Sequence, residues 1–168
     1  TMQYLIETDA YEAERMIRHI SNLYRVSFDE TREIALLDEM ELCESYLSIE
    51  KYRFDKKLKV TWQLPDEDLL YDMVITSLSL QMVIEKLIVL IVENSTDPIH
   101  ITISIDWQND VAKIDIEIEL PTTTYQLICH DIHQKLQFNS QLAILRQYFG
   151  DEASIHFELS GHLLVTQI

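Results

Sequence analysis

Cys129, His130 and His133 bring a thiol and two imidazoles within five positions, a donor set that suits zinc, although no fourth ligand stands at a recognised spacing. His156 and His162 flank a turn near the C-terminus and could approach each other across a hairpin, while histidines on exposed strands are ordinary. Asp38, Glu39, Glu41 and Glu44 line one face of a helical stretch. The plain reading of that run is a solvated face rather than a metal or partner site. His19 sits within another helical pattern and reads as a packed or solvated histidine. Neither a Gly-x-Ser-x-Gly elbow nor a Walker loop occurs, and no Cys-His nucleophile pair is evident. The chain contains only two glycines, Gly150 and Gly161, where average usage gives roughly a dozen. Backbone that must come close to a phosphate generally needs more of them.

The elements that position these residues follow from periodicity. With 168 residues, 47% of them hydrophobic and 25% charged, the chain can bury a core and form one globular domain with an appendage. The longest greasy stretch, Val83 to Val92, is interrupted by Glu85 and Lys86, so no segment is apolar enough to span a bilayer. Thirteen basic against 29 acidic side chains give a net charge of −16, which repels phosphate backbones and anionic lipid and argues against nucleic-acid binding. Cys43 and Cys129 lie in apolar helical patterns, as buried thiols in a reducing cytoplasm do.

Tyr4, Leu5 and Ile6 are expected to end one helix. Thr8-Asp9 with Glu12 then forms a capping signal for a second, which reaches about Ser27 with Ala13, Met16, Ile17, Ile20, Leu23 and Tyr24 at spacings of three and four. The two make an antiparallel helical hairpin. A long helix from about Leu36 to Phe54 carries Leu36, Met40, Cys43, Leu47 and Phe54 on one seam, interrupted by Glu50. Leu58, Val60 and Trp62 mark a strand ending at Pro65-Asp66. Asp72 to Val92 is expected to be one helix buried between layers. Ile99, Ile101, Ile103 and Ile105, a turn at Asn109-Asp110, and Ile114, Ile116 and Ile118 predict a hairpin with one wet face. A helix from about Asp131 to Phe149, ended by Gly150, precedes two strands, Ser154 to Leu159 and Leu163 to Ile168, turned at Ser160-Gly161. The fold class is α+β, a helical hairpin followed by a two-layer α/β sandwich.

Ile34, Leu36, Glu39, Tyr46, Ile49, Glu50, Lys51, Arg53 and Phe54 resemble the linking-helix pattern of the LytS and AlgZ type of sensor histidine kinases. Ala13-Glu14 through Leu23-Tyr24-Arg25 resembles the helix that follows the family's phosphoacceptor segment. The resemblance implies the Bergerat (GHKL) ATPase form of the sandwich. It divides the chain into residues 1–32, the end of the dimerisation and phosphotransfer region, and 33–168, the linking helix with the ATPase-like domain. It also implies that the family's phosphorylated histidine, in a Pro-His-Phe-Leu-Phe-Asn stretch, falls just before Thr1.

Leu78, Leu80, Gln81, Val83, Ile84 and Glu85 resemble the family's Leu-Gln-Pro-Leu-Val-Glu-Asn-Ala approach to the nucleotide. Lys86 stands where the family has the magnesium-liganding Asn, and Leu90 and Ile91 where it has His-Gly. An ammonium cannot complete a magnesium shell, though it could offset a phosphate's charge. Glu85 takes the family's general-base position; without metal and nucleotide it is expected to be a carboxylate hydrogen-bonded under its helix. Leu120, Pro121 and Thr122 replace the family's Asp-Asn-Gly, and leucine offers adenine no acceptor. Lys135, Gln137, Phe138 and Ser140 replace its second glycine box.

The expectation is a degenerate catalytic domain without ATP or any other cofactor, acting by contacts. It would form a homodimer through Ala13, Ile17, Ile20 and Tyr24, meet a response regulator or partner kinase, and hang from an upstream membrane anchor on the cytoplasmic face of a bacterial inner membrane. The competing expectation is an active, divergent kinase that binds ATP and magnesium through Glu85, Lys86 and an atypical lid between Pro121 and Lys135. A third is a pocket reused for another small ligand.

Overall fold

The computed structural model describes residues 6–27, 33–54, 57–108, 111–130, 132, 136–160 and 162–168. The expected features at Thr1 to Leu5, Asn109-Asp110, Asp131, His133, Lys135 and Gly161 lie outside them. Helix α1 spans Ala10–Ser27, and Asp9 caps it by accepting the Glu12 amide on Oδ1 at 3.1 Å. Strand β1, Glu33–Ala35, leads into helix α2, Leu36–Phe54, whose seam residues Leu36, Met40, Cys43 and Leu47 are buried. Ala13, Met16 and Ile20 of α1 pack on Ile49 and Tyr52 of α2, and His19 Nδ1 lies 3.3 Å from Ser45 Oγ.

The main sheet has five strands in the order β2-β4-β5-β7-β6: Leu58–Gln63 (β2), Ile99–Gln108 (β4), Val111–Glu119 (β5), His156–Ser160 (β6) and Leu163–Gln167 (β7). Only β2 and β4 are parallel. Period two fixes the register: Ile101 faces Ile118, Ile103 faces Ile116, and Ile105 faces Ile114, all buried. Thr61 and His100 bond on the opposite, wetter face, at 2.7 Å. Helices cover the apolar face alone, so the α+β two-layer sandwich is present.

The region expected to be one helix from Asp72 to Val92 is three elements. Helix α3, Glu67–Asp72, and strand β3, Val74–Thr76, precede helix α4, Ser79–Leu87, which continues as a π-helical turn over Ile88–Val92. β3 pairs antiparallel with β1, and the Leu36 amide donates to the Met73 carbonyl at 2.8 Å. Leu78 breaks the helix by taking a left-handed conformation, φ 64°, a strain costing roughly 1–2 kcal/mol for a residue with a Cβ. The stretch expected as one helix from about Asp131 to Phe149 is broken at residues 136–138, and the helix that runs on to Phe149 begins at Asn139 (α6, Asn139–Phe149). Ile132 is helical and its carbonyl accepts the Leu136 amide at 2.7 Å; Leu136 to Phe138 are irregular, and Leu136 and Phe138 reach the core. Gly150, at φ 78°, ends α6 as expected.

Glu39, expected on a solvated face, is fully buried. Its Oε2 accepts the Leu78 amide at 2.7 Å, and its Oε1 accepts the Leu80 and Gln81 amides at 2.9 and 3.0 Å. The α4 N-terminus, which has no side-chain cap of its own, is thus capped from α2. Burial pushes the Glu39 carboxyl up to about 7, against the pull of these three amides. Because the folded value lies above the ordinary 4.5, the group favours folding most below pH ~4.5. That contribution is lost as pH rises through ~7, about 3 kcal/mol at most. Urea unfolding across this window should show stability falling with pH in the wild type. Glu39→Gln should flatten the slope and cost roughly 1–3 kcal/mol, because its NH2 meets backbone donors; an unchanged slope would remove Glu39 as its source.

Candidate functional site

The outward face of α4 and the π turn forms one wall of a groove of about 570 Å³. Leu80, Val83, Ile84 and Leu87 point into the core. Met82, Glu85, Lys86, Val89, Leu90, Glu93 and Asn94 line the groove, with Gln141 of α6 opposite. The π turn closes with the Glu93 amide on the Ile88 carbonyl at 3.3 Å, and Asn94 Nδ2 donates to the Leu90 carbonyl at 2.6 Å. Such turns widen a helix and recur at functional sites.

Lys86 is the strut of the groove. Its ammonium donates to the Gln137 backbone carbonyl and, at 3.2 Å, to Gln141 Oε1, and it stands 5.5 Å from the centre of the Phe138 ring. Phe138 in turn meets Phe157 edge-on at 6.3 Å. Glu85 is not tucked under its helix. It is exposed and accepts a bond from Gln81 Nε2 at 3.2 Å. Arg53, near the end of α2, bonds Glu93 and also Glu50 at 3.3 Å. Burial raises the Glu50 carboxyl, partly offset by that guanidinium, and burial raises the Tyr46 hydroxyl, helped by the Glu50 and Glu85 carboxylates.

Of the residues singled out in the sequence, Glu85, Lys86 and Gln137 come together here. Leu120 does not line the groove: its side chain is buried, its amide donates to the His162 carbonyl at 2.7 Å, and its own carbonyl faces His162 Nδ1 at 3.1 Å. Thr122 is exposed and opens helix α5, Thr122–Ile128. The neighbouring hydroxyls pin α5 down, Thr123 on Asp97 Oδ2 and Thr124 on Ser95 Oγ, both at 2.8 Å. His162 stacks on Tyr125 with ring centres 4.7 Å apart, while His156 registers with Gln167, so the two histidines do not meet. Cys129 ends α5 half-buried rather than inside a helix, His130 is exposed, and no metal-holding group of three or more His, Cys, Asp or Glu occurs among the described residues. Sequence reading missed Gln141, Glu93 and Asn94 as groove residues. Only the pair Glu93-Asn94, polar after an apolar run, offered a signal.

The dimer stripe divides. Ala13 is buried and Ile20 half-buried against α2, whereas Ile17 and Tyr24, seven apart with Ala10 one heptad earlier, are exposed on the outer face of α1. No helix among the described residues is long and apolar enough to cross a membrane.

The mixed five-stranded sheet covered by helices on one face is a fold that this chain shares with histidine-kinase catalytic domains. The nucleotide-free catalytic domain of the histidine kinase ThkA superposes with a TM-score of 0.51 at 13% identity, over 83% of this chain and 95% of that one. ThkA in its complex with the response regulator TrrA superposes with a TM-score of 0.53 at 12% identity, over 95% of this chain and 48% of that one. Residues 1–58 match the family model for histidine kinases. The sensor histidine kinase BtsS of Escherichia coli is 28% identical over 158 residues, 92% of this chain and 27% of that protein. The sensor protein LytS of Staphylococcus epidermidis is 23% identical over 119 residues, 70% of this chain and 20% of that protein. The chain is homologous to the sensor histidine kinases of the LytS and BtsS type, and it spans about a quarter of the length of these relatives.

Replacing Lys86 by Met keeps the apolar stem and removes the ammonium. Amide exchange at Leu142, which bonds the Phe138 carbonyl at 2.8 Å, should then quicken by about tenfold, the loss of one charged hydrogen bond. Unchanged protection would show that the strut does not hold this segment.

Proposed function

We propose that this chain comprises the end of the dimerisation region, the linking helix and a catalytic-type domain that no longer binds nucleotide, within a membrane-anchored sensor of a two-component system. It signals by contacts: a conformational bias arriving through α1 and α2 is presented to a partner without ATP hydrolysis. The observation that carries this reading is Lys86. Its ammonium stands at the helix position where the resembling family has a magnesium-liganding amide, and its bonds are already made to Gln137 and Gln141. A triphosphate with its metal would have to displace those bonds and lie beside Glu85 and Glu93, two carboxylates of its own sign. Buried Leu120 offers adenine no hydrogen-bond acceptor from its side chain.

The partners follow from surface and kinship. The exposed Ile17 and Tyr24 on α1 suit a second copy of the chain, a response regulator is the partner that ThkA holds in its complex, and a net charge of −16 disfavours nucleic acid. The kinship with sensor histidine kinases supports a membrane-anchored parent protein with this part on the cytoplasmic side.

Calorimetry with ATP and magnesium should give no saturable heat up to millimolar nucleotide. Micromolar affinity would overturn the reading and restore an active kinase. Sedimentation of Ile17→Asp should show the monomer–dimer constant weakened by roughly tenfold or more relative to the wild type; an unaltered dimer would place the interface elsewhere.

A further inference from the structure

We propose that the groove beside Lys86 is a binding site for a small organic monocation, an amine or amidine carried on a flat or aliphatic apolar body. The inference rests on the reading that nucleotide does not occupy this groove. Its volume, about 570 Å³, lies within the range of ordinary small-molecule sites.

The charge inventory decides the ligand's sign. Among the described residues the lining sets two carboxylates, Glu85 and Glu93, against one cation, Lys86, whose ammonium keeps its charge but is held in place by the Gln137 carbonyl and Gln141 Oε1. Glu93 is met by Arg53. Glu85 meets only the neutral amide of Gln81, and among the described residues no cation pairs with it. A carboxylate offers about four acceptor sites, so Glu85 retains room for an N–H donor. Asn94 spends its amide nitrogen on the Leu90 carbonyl, which leaves its oxygen as a second acceptor at the rim.

The apolar half is supplied by the same helix face. Met82, Glu85, Val89 and Glu93 follow one another at spacings of three and four, so carboxylates and apolar side chains alternate along one wall. Val89 is 45% exposed, a large apolar side chain open on that wall. A ligand that sets its cationic head on Glu85 and its body across Met82 and Val89 satisfies both halves together. An anion of the same size satisfies neither.

Benzamidine and benzamide test this, since they share a shape and differ in charge. Calorimetry on the full chain should give saturable, ~millimolar binding of benzamidine, as suits a ligand of so few atoms, and none of benzamide. Glu85→Gln should weaken benzamidine roughly fivefold. Glu117→Gln, which removes an exposed carboxylate on β5, should leave it unchanged and so control for net charge. Equal binding of benzamide, indifference to Glu85→Gln, or absence of saturable binding would each overturn the assignment. ATP with magnesium is titrated in the same series. Micromolar nucleotide affinity would defeat the reading beneath the inference, whereas silence from both nucleotide and benzamidine would defeat the cation site alone.

Discussion

The hydrogen bonds from three backbone amides to the Glu39 carboxylate hold this fold in its working arrangement. A helix that starts at a left-handed leucine, with no capping side chain of its own, leaves backbone donors unmet, those of Leu80 and Gln81 buried and that of Leu78 half-buried. Each unsatisfied donor would cost roughly 1–3 kcal/mol, and three together rival the whole margin of a small domain, about 5–15 kcal/mol. The cap therefore constrains more than any single apolar contact does. Because it comes from α2, the linking helix and the groove helix are fixed to each other. Arg53 repeats the constraint fourteen positions later on α2 by bonding Glu93 beyond the π turn, so the two helices run side by side and are fastened at both ends.

That double fastening makes the groove an extension of α2. The seam of Met40, Cys43 and Leu47 lies in the same core as Leu80, Val83, Ile84 and Leu87, and the remaining face of α4 has no choice but to present Met82, Glu85, Lys86 and Val89 outward. On the other side of α2, Ile49 and Tyr52 receive Ala13 and Met16 of α1. A displacement of α1 thus meets packed side chains, then the Glu39 cap, then the wall of the groove, with no flexible joint among the described residues along the way.

The sheet was legible in the sequence because alternation is a local property: Ile99 to Ile105 and Ile114 to Ile118 declare their faces without reference to anything distant. The limits of α2 and the Gly150 stop were legible for the same reason. Strand β3 was not, since Val74-Ile75-Thr76 is as apolar as the helix that follows and no glycine or proline marks the left-handed break at Leu78. The role of Glu39 was hidden by distance: its acceptors' partners lie 39 to 42 residues further on, and beside Asp38, Glu41 and Glu44 it looks like one more surface acid. At the site, Glu85 and Lys86 were found because charge inside an apolar run is conspicuous, whereas Gln141 gives no sign that it completes an ammonium's shell. Leu120 and Thr122 were placed by resemblance alone, and the groove is lined without them.

The scarcity of glycine has a counterpart in how the described residues between 120 and 141 are held. Glycine-rich backbone is costly to order and becomes useful where a ligand supplies the contacts that fix it. Here side chains of the protein supply them: Thr123 and Thr124 fasten α5 to Asp97 and Ser95, His162 meets the Leu120 carbonyl, and Lys86 grips Gln137 and Gln141. Backbone already fixed in this way gains little further order from a ligand, and a lysine that has made its bonds internally must give them up to contact a phosphate directly. These bonds are what the proposed loss of nucleotide binding rests on. At Lys86, Leu120 and Gln137 the chain bonds to itself, and among the described residues no cation pairs with Glu85.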